Sequence, residues 1–190
     1  MTVQTEGPIR IDFTLDQSDI AYFKERMEKS RKKWSLRDDD KVIIGAKALI
    51  AETTKSNPPH FVQERVDKLQ SMLDMLLDRD WKLEGDDYER VMRALAYFAD
   101  PQDLIPDHIP GLGFLDDAIM IELVAFELEP EMEAYADFCV NREELAANQA
   151  DAQPIEESRE QLQIRMRRRR RRRAGGGDGS GVVTSLFHVG

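Results

Sequence analysis

Five aspartates and a histidine fall between residues 100 and 117: Asp100, Asp103, Asp107, His108, Asp116 and Asp117. Carboxylate oxygens at this density suit a hard divalent cation. Asp103, Asp107, Asp116 and Asp117 form the candidate ligand set for Mg²⁺ or Mn²⁺. A metal held there would activate water for hydrolysis of a phosphate ester. The same residues also have a use without any metal. Asp100-Pro101-Gln102-Asp103 places a cap residue, a proline at the first helical position and an acid three beyond the cap. That pattern predicts one helical turn over 101–105. Asp116 and Asp117 fall where a following helix has free N–H groups, which carboxylates satisfy. No fixed metal spacing of the HExxH or EF-hand type is present. Structural use comes first, no cofactor is expected, and Mg²⁺ or Mn²⁺ is the alternative. His108 reads as a loop histidine hydrogen-bonded to a neighbouring carboxylate rather than as a base.

These residues sit in a shaped loop. Between 96 and 121 there are three prolines and two glycines as well as the aspartates. Ile105-Pro106 and Ile109-Pro110 force extended backbone, and Gly111 and Gly113 permit tight turns. Leu104, Ile109, Leu112 and Phe114 supply apolar anchors. The loop is therefore rigid and delivers the chain into a helix from Asp116 to Leu128 that is apolar on nearly every side. Such a helix belongs at the centre of a bundle.

Helical spacing predicts the rest of the platform. Ile20, Phe23, Met27 and Trp34 mark a first helix capped by Thr14 or Ser18, and Asp38 to Asp40 start a second carrying Val42, Ala46 and Leu49. Val62, Val66, Leu69, Leu73 and Leu76 mark a third from about Pro59 to Asp80, and Val91, Met92, Leu95 and Phe98 a fourth from about Asp87. Pro130 separates the central helix from a sixth segment, Glu131 to about Gln149. A weak strand pattern covers Pro8 to Phe13. Cys139, the one cysteine, reads as a buried apolar residue and permits no intrachain disulfide.

Charge divides the chain. The net charge is −10, made of −14 over residues 1–150 and +4 over 151–190. Arg165 and Arg167, Arg168, Arg169, Arg170, Arg171, Arg172 and Arg173 give a basic run followed by a glycine-rich stretch. That composition reads as a disordered tail over 150–190. Its arginines would bind RNA or another polyanion without sequence preference, since no aromatics interleave them, or fold back on the acidic body. The N-terminus has no leader-like apolar run, and charges break the most apolar stretch, so neither a leader nor a membrane span is expected. The default is a cytoplasmic protein.

Asp100, Pro101, Asp103, Leu104, Ile105, Pro106, Asp107, Pro110, Gly113, Asp116, Asp117 and Ala118 also carry a resemblance. Together they resemble the signature of the YkvA-like family of bacterial proteins, the domain of unknown function DUF1232. The resemblance implies a small helical domain, no established activity and membrane association in some members. The whole reading is all-α. A flexible N-terminus over 1–13 leads into a five- to six-helix bundle over 14–149, with the signature at 96–121, and the disordered basic tail follows. The expected function is a non-enzymatic scaffold or interaction module that uses the 100–117 loop to meet a protein partner. A metal-dependent hydrolase built on the loop aspartates and a polyanion binder working through the tail are the alternatives.

Overall fold

The computed structural model describes residues 14–34, 39–99, 113–147 and 153–175. The predicted turn at 101–105, the strand pattern at 8–13 and the tail beyond 175 lie outside them. The described residues are all-α, with no strand among them. Seven α-helices follow in order: α1 (Gln17–Lys33), α2 (Asp39–Ser56), α3 (His60–Leu77), α4 (Gly85–Leu95), α5 (Leu115–Glu127), α6 (Glu129–Ala146) and α7 (Ile155–Gly175). A 3₁₀ turn, Ala96–Ala99, continues α4.

Local chemistry sets the helix ends. The cap of α1 is Asp16, not Thr14 or Ser18. Its Oδ1 accepts from the backbone N–H groups of Ser18 (2.7 Å) and Asp19 (3.0 Å), and Asp19 returns the bond to the Asp16 N–H at 2.9 Å. This reciprocal box satisfies donors that a helix start leaves open. Asp78 closes α3 and holds the turn beyond it, accepting from the N–H groups of Asp80 (2.8 Å) and Trp81 (3.1 Å). Helix α4 starts at Gly85, two residues before the expected start, because Gly85 takes a left-handed φ of 55° without strain. The break expected at Pro130 falls at Leu128, between α5 and α6, and Pro130 itself sits in the first turn of α6, where its missing N–H costs nothing.

The core gathers the apolar faces of all seven helices, with Leu69, Met72, Leu73, Met92, Leu95, Phe98, Met120 and Ile121 fully enclosed. Helix α5 is central as expected, buried from Asp116 to Ala125 and packed chiefly on α3. Gly45 lets α2 press on the 3₁₀ turn, since a Cβ there would lie 1.7 Å from the Phe98 carbonyl oxygen. That approach seats the turn from which the 100–117 segment departs.

The expectation of a disordered tail fails over 155–175. Those residues form α7, which lies along α6. Met166 is fully buried, and Ile155 and Leu162 pack against the core. Gln163 Nε2 donates to the Trp81 carbonyl at 2.9 Å, and Arg159 to that of Asp80 at 3.1 Å. The bundle thus has one helix more than the upper expectation.

Candidate functional site

Only part of the loop site falls among the described residues. Asp100, Asp103, Asp107 and His108 lie outside them; Asp116 and Asp117 lie within. Helix α5 begins after Phe114, whose φ of 65° is left-handed and whose side chain makes no capping bond. Asp116 and Asp117 occupy the first turn, where the helix dipole favours negative charge. They do not meet solvent: they are 2 % and 3 % exposed.

Their surroundings include a tyrosine from another element. Tyr97, on the 3₁₀ turn and buried, feels the charge of both aspartates. Burial first, and then the Asp117 and Asp116 carboxylates, push its phenol well above the ordinary tyrosine range, while Arg26 pulls the other way. Burial works against the charge on Arg26, but the hydroxyls of Tyr22 and Tyr97 hold its guanidinium in the charged form. Tyr97 thereby links Arg26 of α1 to the charged start of α5. The geometry of Asp116 and Asp117 is that of internal wiring. Among the described residues, no group of three or more His, Cys, Asp or Glu side chains is placed to hold a metal ion.

Beside Tyr97 lies a cavity of about 320 Å³ between α1, α2 and the 3₁₀ turn. Arg26, Lys29, Lys33 and Lys41 line it, with Tyr22, Trp34 and Tyr97 as aromatic walls. Glu25 is the one acid among the described lining residues. Sequence reasoning missed this groove, because Arg31, Lys32 and Lys33 read as dipole-complementing residues in the last turn of α1.

The arginine run forms the second charged feature, and two of its members reach buried acids. Arg167 Nε donates to Asp87 at 2.7 Å, and Arg170 bridges Asp87 at 2.9 Å and Glu131 at 3.1 Å. Asp87 and Glu131 are buried, at 4 % and 0 % exposure. Arg90 completes the cluster, 2.9 Å from Glu131. Burial opposes the charge on Arg170, but Asp87 and Glu131 outweigh it and raise the pKa. Arg165, Arg169 and Arg173 make outer pairs with Asp137, Glu133 and Glu129. Arg168, Arg171 and Arg172 are exposed and make no ion pair among the described residues. Buried acids on α4 and α6 were the signal that could have found this arrangement, since such groups need a paired cation.

The remaining candidates stand apart. His60 is exposed, 3.7 Å from Glu64. Cys139 is half-buried rather than enclosed, with Arg142 Nη2 3.7 Å from its sulfur. No helix among the described residues is long and apolar enough to cross a membrane.

Residues 91–123 match the family described as a protein of unknown function, DUF1232. The uncharacterized membrane protein YkvA of Bacillus subtilis (strain 168) is 37% identical over 65 residues, which cover 30% of this chain and 59% of that protein. The chain therefore spans less than two thirds of the length of the relative it matches. No solved structure matches it. The matched stretch holds Tyr97, Asp116 and Asp117, and over it the chain is similar to the YkvA-like DUF1232 family.

Proposed function

We propose that the protein is a non-enzymatic interaction module that presents the 100–117 segment to a protein partner from a fixed helical platform. The burial of Asp116 and Asp117 near Tyr97 carries this reading. A hydrolytic metal site needs carboxylates open to water and substrate, whereas these two anchor one end of the segment. The close seat of the 3₁₀ turn against Gly45 anchors the other end. Fixing both ends lowers the entropy a recognition loop loses on binding. The name of the Bacillus relative supports a partner at a membrane.

The deciding experiment is a thermal-shift series with Mg²⁺, Mn²⁺ and Ca²⁺ on the full chain and on Asp107→Asn/Asp117→Asn. A metal at a hundred times its dissociation constant would add about 2.7 kcal/mol. The interaction reading expects no metal-dependent rise in the parent. A rise that disappears in the variant would replace it with the hydrolase.

For the arginine helix, a structural role within this module is the favoured reading. The inward pairs of Arg167 and Arg170 support it, since those guanidinium groups are committed to the body's own acids. Polyanion contact is left to Arg168, Arg171 and Arg172.

A further inference from the structure

The groove between α1, α2 and the 3₁₀ turn concentrates cations on an acidic protein. Among the described residues, four of its lining side chains carry positive charge and one carries negative charge, in a chain of net charge −10. A concave site with one sign of charge focuses potential and raises the local concentration of a counter-ion. Lys29 is 67% exposed and shared with Glu25 at 2.9 Å, a bond weak enough to be exchanged. Lys33 has no ion-pair partner among the described residues. Lys41 stands in the first turn of α2, at the positive end of that helix.

The walls suggest the rest of the ligand. Trp34 packs against the core, yet its indole N–H is buried and has no hydrogen-bond partner among the described residues. Such a donor favours a polar atom supplied from the groove. Its half-buried ring offers flat apolar surface next to the cations. The volume, about 320 Å³, lies at the small end of small-molecule sites.

We propose that this groove binds a phosphate monoester, with its dianionic group on Lys29 and Lys33 and its apolar or aromatic body against Trp34. Free phosphorylated compounds and the phosphomonoester headgroup of a lipid share this chemistry. The proposal stands on the lining residues alone and does not need the protein-partner reading.

Titration calorimetry on the full chain tests it, with phenyl phosphate as soluble probe and phenol as neutral control. In parallel, phosphatidylcholine vesicles with and without phosphatidic acid are tested by co-sedimentation. Saturable binding of phenyl phosphate, but not phenol, supports a free phosphoester. Binding only to phosphatidic acid vesicles supports the headgroup. In either case Lys29→Gln/Lys33→Gln must weaken binding by about tenfold or more, the loss expected when charge-assisted hydrogen bonds go. Lys33→Arg, which keeps the charge, must retain most of it. Both lysines are on the surface, and circular dichroism checks that the variants fold. The proposal fails if neither probe binds. It also fails if Lys29→Gln/Lys33→Gln binds like the parent while Arg168→Gln/Arg171→Gln/Arg172→Gln does not.

Discussion

Helix α7 should be held by one methionine more than by its arginines. Met166 is fully buried, and Met166→Ala removes its side chain from a closed core. Such truncations cost about 2–5 kcal/mol. The outer ion pairs involve half-exposed groups: Arg169 and Glu133 are 47% and 49% exposed, and Arg165 and Asp137 are 43% and 55%. Pairs of that kind contribute about 0–1 kcal/mol, so Arg169→Ala should barely register. Arg170→Ala falls between. It strips a cation from Asp87 and Glu131, but Arg167 still serves Asp87 and Arg90 still serves Glu131. The cost of Met166→Ala has a ceiling, because once the loss exceeds the docking free energy of α7 the helix simply leaves the body. Amide hydrogen exchange resolves this where a melting temperature cannot. Protection over 155–175 should collapse in Met166→Ala, persist in Arg169→Ala and drop partway in Arg170→Ala. Salt supplies the control, since at about 1 M the screening length is about 3 Å. If 1 M salt strips protection from the parent while Met166→Ala leaves it intact, charge rather than apolar burial docks the helix and the reasoning is wrong.

Gly45→Ala opposes two effects. Helix propensity alone favours alanine by about 1 kcal/mol, but the new Cβ would sit 1.7 Å from the Phe98 carbonyl oxygen, which is backbone and cannot swing aside. Overpacking of this kind costs about 1–3 kcal/mol or more, so thermal unfolding should show a net loss, and a raised melting temperature would mean that α2 does not press on the 3₁₀ turn. Burial, and then a 2.9 Å hydrogen bond to Asp39, pushes the Tyr88 phenol from 10.0 up to about 12. The fold favours its neutral form, so this stability is complete below pH 10 and lost as pH rises through 12. Urea unfolding of Tyr88→Phe should lack that alkaline decline; parallel pH profiles for variant and parent would count against it. Asp78 shows the opposite sign: burial opposes its charge, but N–H groups of Trp81 and Asp80 and the Arg142 guanidinium hold its carboxyl below the ordinary 3.8. Its contribution is present above that value and fades as pH falls below it, so Asp78→Asn should flatten the acid limb of stability.

The platform was legible because each of its helices carries an apolar stripe at three- and four-residue steps. Val62, Val66, Leu69, Leu73 and Leu76 fix the inward face of α3 without reference to any other segment. Helix ends were less legible, because capping depends on local geometry that several neighbouring residues can supply. Asp16, Thr14 and Ser18 all qualify by type, and only the backbone decides for Asp16. Asp116 and Asp117 carried a signal that could have been taken further. A helix apolar on every side must bury whatever polar residues it has, so their enclosure follows from the central place of α5. Their surroundings do not follow, since Tyr97, and Arg26 behind it, come from distant sequence positions. Helix α7 was hidden by its own composition. Ile155, Leu162 and Met166 recur at helical steps, but eight arginines nearby lower the mean hydropathy until the stripe is swamped.

The buried charges serve pairing of helices more than stability. Removing a partner from an enclosed acid costs about 3–5 kcal/mol, whereas replacing the whole pair with apolar groups is often neutral. Three of the enclosed acids take cations from another helix: Glu122 of α5 takes Lys68 at 2.6 Å and Arg65 at 3.1 Å, both from α3, Asp87 of α4 takes Arg167 and Arg170 from α7, and Glu131 of α6 takes Arg90 from α4 and Arg170 from α7. A one-turn slip of α7 would still offer Asp87 and Glu131 an arginine, because the run is continuous. It would not offer Met166 its pocket. The arginines therefore select the acidic face while tolerating several registers, and the single methionine chooses among them.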